Sequence, residues 1–175
     1  MATTERTRSA VRRALALIAA AGLAIDAYVH FDLASTYAPI KSSVLNQGDL
    51  FRAEAIVATI AAAAVLLRPR RYTAAFAFLV AAAGTAAVLV YAYVDLGAFG
   101  PFPNMYDPLW FGEKTLSVVA EGIAALAALA LFVLLHAEAR HADRIAAHSG
   151  DHVRGAWPRT RNSRPVGRAP QAPRP

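Results

Sequence analysis

Four stretches of the chain are apolar on every face, without the alternation of a strand or the narrow stripe of a soluble helix. The plainest is Ala74 to Val94, AAFAFLVAAAGTAAVLVYAYV, in which no residue is charged. At about 1.5 Å per residue, such a run crosses a hydrocarbon core of about 30 Å. Leu116 to Leu135 is a second, with one acid, Glu121. Leu50 to Leu67 is a third, apolar from Ala55 onward, with Arg52 and Glu54 in its first turn. The first in chain order follows Arg12 and Arg13, is apolar from Ala14 to Ile25, and then meets Asp26 and His30. Backbone groups in lipid must bond within their own segment, and period-two alternation is absent, so each run reads as a helix. The expected fold is all-α: a four-transmembrane-helix bundle with helices at about 12–33, 50–67, 72–95 and 114–135.

Composition agrees with this pattern. The chain is 57% hydrophobic and 17% charged, against about 45–50% and about 25% for soluble proteins. It has no cysteine, which excludes thiol redox chemistry, iron–sulfur ligation and thiolate metal sites. The basic start and short apolar stretch of the first segment also resemble a signal peptide. No convincing A-x-A site follows, so the segment is read as an uncleaved helix. Gly22, Asp26 and His30 fall on one helical face, as a packed helix requires.

Charge sets the expected orientation. Of the 18 Lys and Arg residues, 15 lie in the N-terminal segment, the Arg68–Arg71 turn or the C-terminal tail. Only Lys41, Arg52 and Lys114 lie on the other side. The bias places both termini in the cytoplasm, with the protein in the plasma membrane. Of the acids, Glu5, Glu138, Asp143 and Asp151 lie inside and the remaining eight lie outside or in the outer half of a span. The cytoplasmic face therefore suits anionic lipid head groups as partners.

Asp49 is placed to cap the second helix, and Pro69 within Arg-Pro-Arg-Arg ends it in a tight hairpin. The outer loop, LGAFGPFPNMYDPLWFG from Leu96 to Gly112, puts Tyr106, Trp110 and Phe111 in the head-group layer, as an aromatic belt ahead of a ligand lid. Residues 1–11 form a cytoplasmic N-terminal segment. Residues 136–149 continue the fourth helix, and 150–175, rich in Arg and Pro, read as a disordered tail. The tail histidines are too loosely spaced for a metal site, and no metal site is assigned. Tail arginines without a folded domain argue for lipid contact over specific nucleic-acid binding.

Ionisable residues inside spans are expensive, so each asks for a reason. Asp26, His30, Arg52, Glu54, Tyr91, Tyr93, Asp95, Lys114 and Glu121 share one depth, in the outer half of the bundle. Arg52, Lys114 and His30 are the available charge partners for the acids. Ser117 and Glu121 share a face of the fourth helix with Lys114, beside a stripe of Ala120, Ala124 and Ala128. Such a layer can lock helices together, relay protons, hold a divalent cation, or line a pocket for a quinone or lipid head group. No phosphate loop, dinucleotide fingerprint, G-x-S-x-G or H-E-x-x-H is present. No span carries the arginine ladder of a voltage sensor. No cofactor is specified. The reading is a non-enzymatic accessory or interaction subunit, alone as a homo-oligomer or within a larger membrane complex. The alternatives are a proton or cation pathway, or a quinone- or lipid-linked enzyme.

Four segments carry a resemblance: HFDLA at His30 to Ala34, GDLFRAEA at Gly48 to Ala55, YAYVDLGAFGPFPNMYDPLWFGEK at Tyr91 to Lys114, and the pair Ala120 and Glu121. On these the chain resembles a group of small, uncharacterised four-helix integral membrane proteins of high-GC actinobacteria. The likeness spans about residues 12–135. It implies a four-helix membrane fold and no particular reaction. In general architecture the chain is also similar to DoxX-like proteins, some of which are linked to quinone chemistry.

Overall fold

The structure, a computed structural model, describes residues 2–155, with side chains described for residues 5–144. It is all-helical: α1 is Ala2–Tyr37, α2 Gln47–Leu67, α3 Arg71–Tyr93 and α4 Gly112–Gly155. Each has a stretch long and apolar enough to cross a membrane. No strand forms among the described residues. Two isolated bridges, Lys41 to Asn46 and Phe99 to Phe102, pinch the two long loops. Residues through Ala139 form one compact unit containing all four spans. Residues from Arg140 form a second unit, whose described part is the helical run to Gly155.

The helix ends differ from the expected ones for identifiable reasons. The first helix begins near Ala2, so the helical run extends beyond the expected span through most of the N-terminal segment 1–11. Nothing between Glu5 and Arg13 breaks a helix, and Arg12 gains a partner there, Glu138 of α4 at 3.2 Å. At its other end α1 runs to Tyr37, and α2 crosses it there at a residue without a side chain. A Cβ on Gly48 would strike the Ala34 carbonyl and lie 3.0 Å from Ala38 Cα. The second helix starts earlier than Leu50, at Gln47, and its cap is Asn46, not Asp49. Asn46 Oδ1 accepts the Asp49 amide at 2.8 Å, leaving Asp49 in the first turn, where an acid is favoured by the helix dipole. The α2–α3 hairpin is closed by Thr73: its hydroxyl donates to the Arg68 carbonyl at 2.6 Å and accepts the Arg70 amide at 3.0 Å. The fourth helix continues past residue 149 to Gly155. The rest of the expected disordered tail, 156–175, lies outside the described residues.

The core is built mainly from alanine. Ala16, Ala19, Ala20 and Ala27 of α1 meet Ala55, Ala58 and Ala61 of α2, Ala74, Ala77 and Ala81 of α3, and Ala124 and Ala128 of α4. Leu23, Val65 and Leu131 supply the larger volume. Lipid is as apolar as leucine, so large side chains gain little by leaving it, whereas small ones let backbones approach. Tyr28, Leu79, Leu126 and Val133 accordingly point outward. The closest approach of α1 to α4 is at Gly22, where a Cβ would lie 2.5 Å from the Ala120 carbonyl. The Arg12–Glu138 pair puts the start of α1 and the Glu138 turn of α4 at the end opposite the two long loops.

Candidate functional site

Three carboxylates converge about two to three turns below the loop end of the bundle. Asp26 comes from α1, Glu54 from α2 and Glu121 from α4. One oxygen of each lies within 4.8 Å of the others. Asp26 and Glu121 are completely buried, and Glu54 is half-buried.

The surroundings of each acid are unequal. Asp26 Oδ1 receives two donors: the Ser117 hydroxyl at 2.6 Å and His30 Nδ1 at 2.9 Å. His30 is on the same face of α1, one turn on, and Nδ1 also lies 3.1 Å from the Asp26 carbonyl oxygen. The ring is steadied by an edge contact with Phe51 at 5.0 Å. Asp26 Oδ2 and both oxygens of Glu121 are buried with no hydrogen-bond partner among the described residues. The nearby hydroxyl of Thr85 donates along its own helix, to the Ala81 carbonyl at 2.9 Å. Glu121 fits only because α3 has Gly84 opposite it: a Cβ there would fall on the carboxylate, 2.7 Å from Cδ.

Beside this cluster, toward the loops, is a cavity of about 470 Å³. His30, Glu54, Gly84 and Ser117 form its inner wall. Leu33, Leu50, Phe51, Val57, Val88 and Tyr91 line its sides. Phe102, Met105 and Phe111 of the long loop cover it. The loop therefore lines the cavity with some of its aromatics and presents others to the outside. Phe111 turns into the cavity, while Tyr106 and Trp110 stay on the outside.

The lid is tied down at Asp107. Its carboxylate accepts the Tyr37 hydroxyl at 3.0 Å and pairs with Lys114 at 3.7 Å, and its amide donates to the Tyr91 carbonyl at 3.0 Å. Lys114 also donates to the carbonyls of Asp107 and Leu109.

The expected polar layer thus divides in two. Asp26, His30, Glu54 and Glu121 meet, and Tyr91 faces the cavity next to them. Arg52 does not join them: it pairs with Asp49 at 2.7 Å on the surface. Tyr93 is exposed against Trp110, with ring centres 6.2 Å apart. Asp95 shapes the loop, accepting from the Gly97 amide at 3.0 Å and Asn104 at 3.1 Å. Lys114 serves the lid. Among the described residues the three acids therefore share one imidazole and no Lys or Arg.

Gly84, Phe51, Gln47 and Tyr37 belong to the site and were not among the candidates. Gly84 had a readable signal, as the sole glycine of a helix otherwise built for lipid. Gln47 did not, since it lies at the edge of a polar loop in the sequence. In the fold it is buried, lines the cavity, and leaves Oε1 without a partner. The chain matches no known protein family, no curated protein and no solved structure.

Proposed function

We propose that this multi-pass membrane protein binds an amphipathic small molecule in the lidded cavity. The apolar body would lie among Leu33, Leu50, Val57, Val88 and the lid aromatics, and the polar end would face Glu54 and Gln47. The cavity carries this reading. Its volume lies in the usual 300–1,000 Å³ range for ligand sites, and its walls are apolar with a few convergent polar groups. The open valences are acceptors: the Gln47 Oε1, which has no hydrogen-bond partner among the described residues, and the half-buried Glu54 carboxylate on the cavity wall. A polar end bearing hydrogen-bond donors, such as an amine, a hydroxyl or a quinol, complements them.

The Lys/Arg bias supports an outward-facing lid and cytoplasmic termini. Small size and alanine-rich helices also suit an accessory subunit of a larger complex. Ligand binding has the cavity among the described residues to carry it.

The test is mass spectrometry of small molecules held by the full chain extracted directly into lipid nanodiscs. The expected result is one amphipath enriched over bulk lipid, and its loss in Ala87→Phe, which adds a ring at a cavity-lining position of α3 that is not itself ionisable. Equal lipid content in the wild type, Ala87→Phe and empty discs would refute the reading.

A further inference from the structure

We propose that Asp26, Glu54 and Glu121 form a binding site for a hard divalent cation. The first reason is charge. Three carboxylates close together in a membrane interior share, among the described residues, at most one positive neighbour, the His30 imidazole. Buried charge of one sign needs a counter-ion or protons.

The second reason is how the free oxygens are disposed. Both donors near Asp26 go to the same oxygen, Oδ1, and Oδ2 stays unpartnered. Both oxygens of Glu121 are likewise buried and unpartnered. His30 and Ser117 therefore behave as groups that orient a metal-binding carboxylate from behind, leaving its other oxygen for the ion.

The third reason is spacing. Oxygen ligands at about 2.0–2.6 Å from an ion lie at most about 4.0–5.2 Å from one another. The three acids already meet that limit, within 4.8 Å. The donor set is all oxygen, which selects Mg²⁺, Ca²⁺ or Mn²⁺ over softer metals. Glu54 borders both the cluster and the cavity, so the cavity offers an entry path and room for water or another oxygen ligand to complete the shell. Gly84 completes the design, since any side chain there would displace the Glu121 carboxylate. The site needs no organic ligand, although it shares Glu54 with the cavity.

Mn²⁺ is the probe. The full chain in detergent is stripped with a chelator and titrated with Mn²⁺ at pH 7.5, with free ion followed by its paramagnetic resonance signal. One Mn²⁺ per chain is expected, displaced by excess Ca²⁺ or Mg²⁺. Glu121→Gln should abolish binding, and Ser117→Ala, which removes no ligand, should weaken it about 10–100-fold. Gly84→Ala should also weaken it with every donor atom retained. Asp95→Asn, which alters an acid of the loop, should leave affinity unchanged. Helical circular dichroism and a single elution peak check that each variant is folded. Wild-type protein that is folded yet takes up no Mn²⁺ overturns the proposal. So does proton uptake by the three acids that Mn²⁺ leaves unaltered, and so does binding that survives Glu121→Gln.

Discussion

Two glycines at facing levels of α1 and α4 provide a matched test of how this bundle is held together. Gly22 and Gly122 both sit in the membrane-spanning part of long helices. Replacement by alanine gives each helix the same intrinsic gain, about 0.5–1 kcal/mol. Their surroundings differ completely. At Gly22 the new Cβ would lie 2.5 Å from the Ala120 carbonyl oxygen and 2.9 Å from Ala124 Cβ. At Gly122 it would meet nothing within 4 Å. Neither obstacle at Gly22 is a flexible side chain, so α1 and α4 must separate. Overpacking of this kind costs about 1–3 kcal/mol. Because the propensity gain cancels between the two variants, their difference measures the packing alone. Gly22→Ala should therefore be less stable than Gly122→Ala by about 1–3 kcal/mol. The assay is reversible unfolding in mixed micelles of increasing SDS fraction, followed by circular dichroism and by fluorescence of the two tryptophans. Equal stability of the two variants, or a more stable Gly22→Ala, would refute the view that backbone proximity between α1 and α4 sets the bundle.

Other substitutions probe the ends of the helices and the lid. Asn46→Ala should cost about 0.5–2 kcal/mol in the same unfolding assay, as loss of a helix cap, and more than Asp49→Ala, which leaves that cap in place. Arg12→Ala should change stability by no more than about 1 kcal/mol, since its pair with Glu138 is partly exposed; a larger loss would mean the pair is shielded by head groups. Tyr37→Phe removes the hydroxyl that holds Asp107. Amide hydrogen exchange should rise at residues 102–107 and stay unchanged in α3, and uniform exchange across both would show that Tyr37 does not fasten the lid.

The pattern of hydrophobic positions by itself determined the class of the protein. Long apolar runs have one solution in lipid, the helix, because every backbone donor must find its acceptor within the segment. The number of spans follows from counting them. The common depth of Asp26, His30, Glu54 and Glu121 was equally readable, since rise per residue converts sequence position into height. Position along a helix does not say which way a side chain turns around the bundle, or which neighbour it meets. Arg52, two residues from Glu54, turns to the surface instead, while Tyr93 and Asp95, at and beyond the end of α3, lie nearer the loops than the cluster does. Lys114 lies on the face of Ser117 yet is drawn to the lid carbonyls. The earlier start of α2 depended on which of two capping residues the loop presents to the helix, and Asn46 rather than Asp49 accepts the free amide. The cavity, its lid and the space that Gly84 leaves for Glu121 exist only between elements far apart in the chain. Tertiary packing alone decided them, because a void and an unpartnered carboxylate are properties of what surrounds a residue and not of the residue itself.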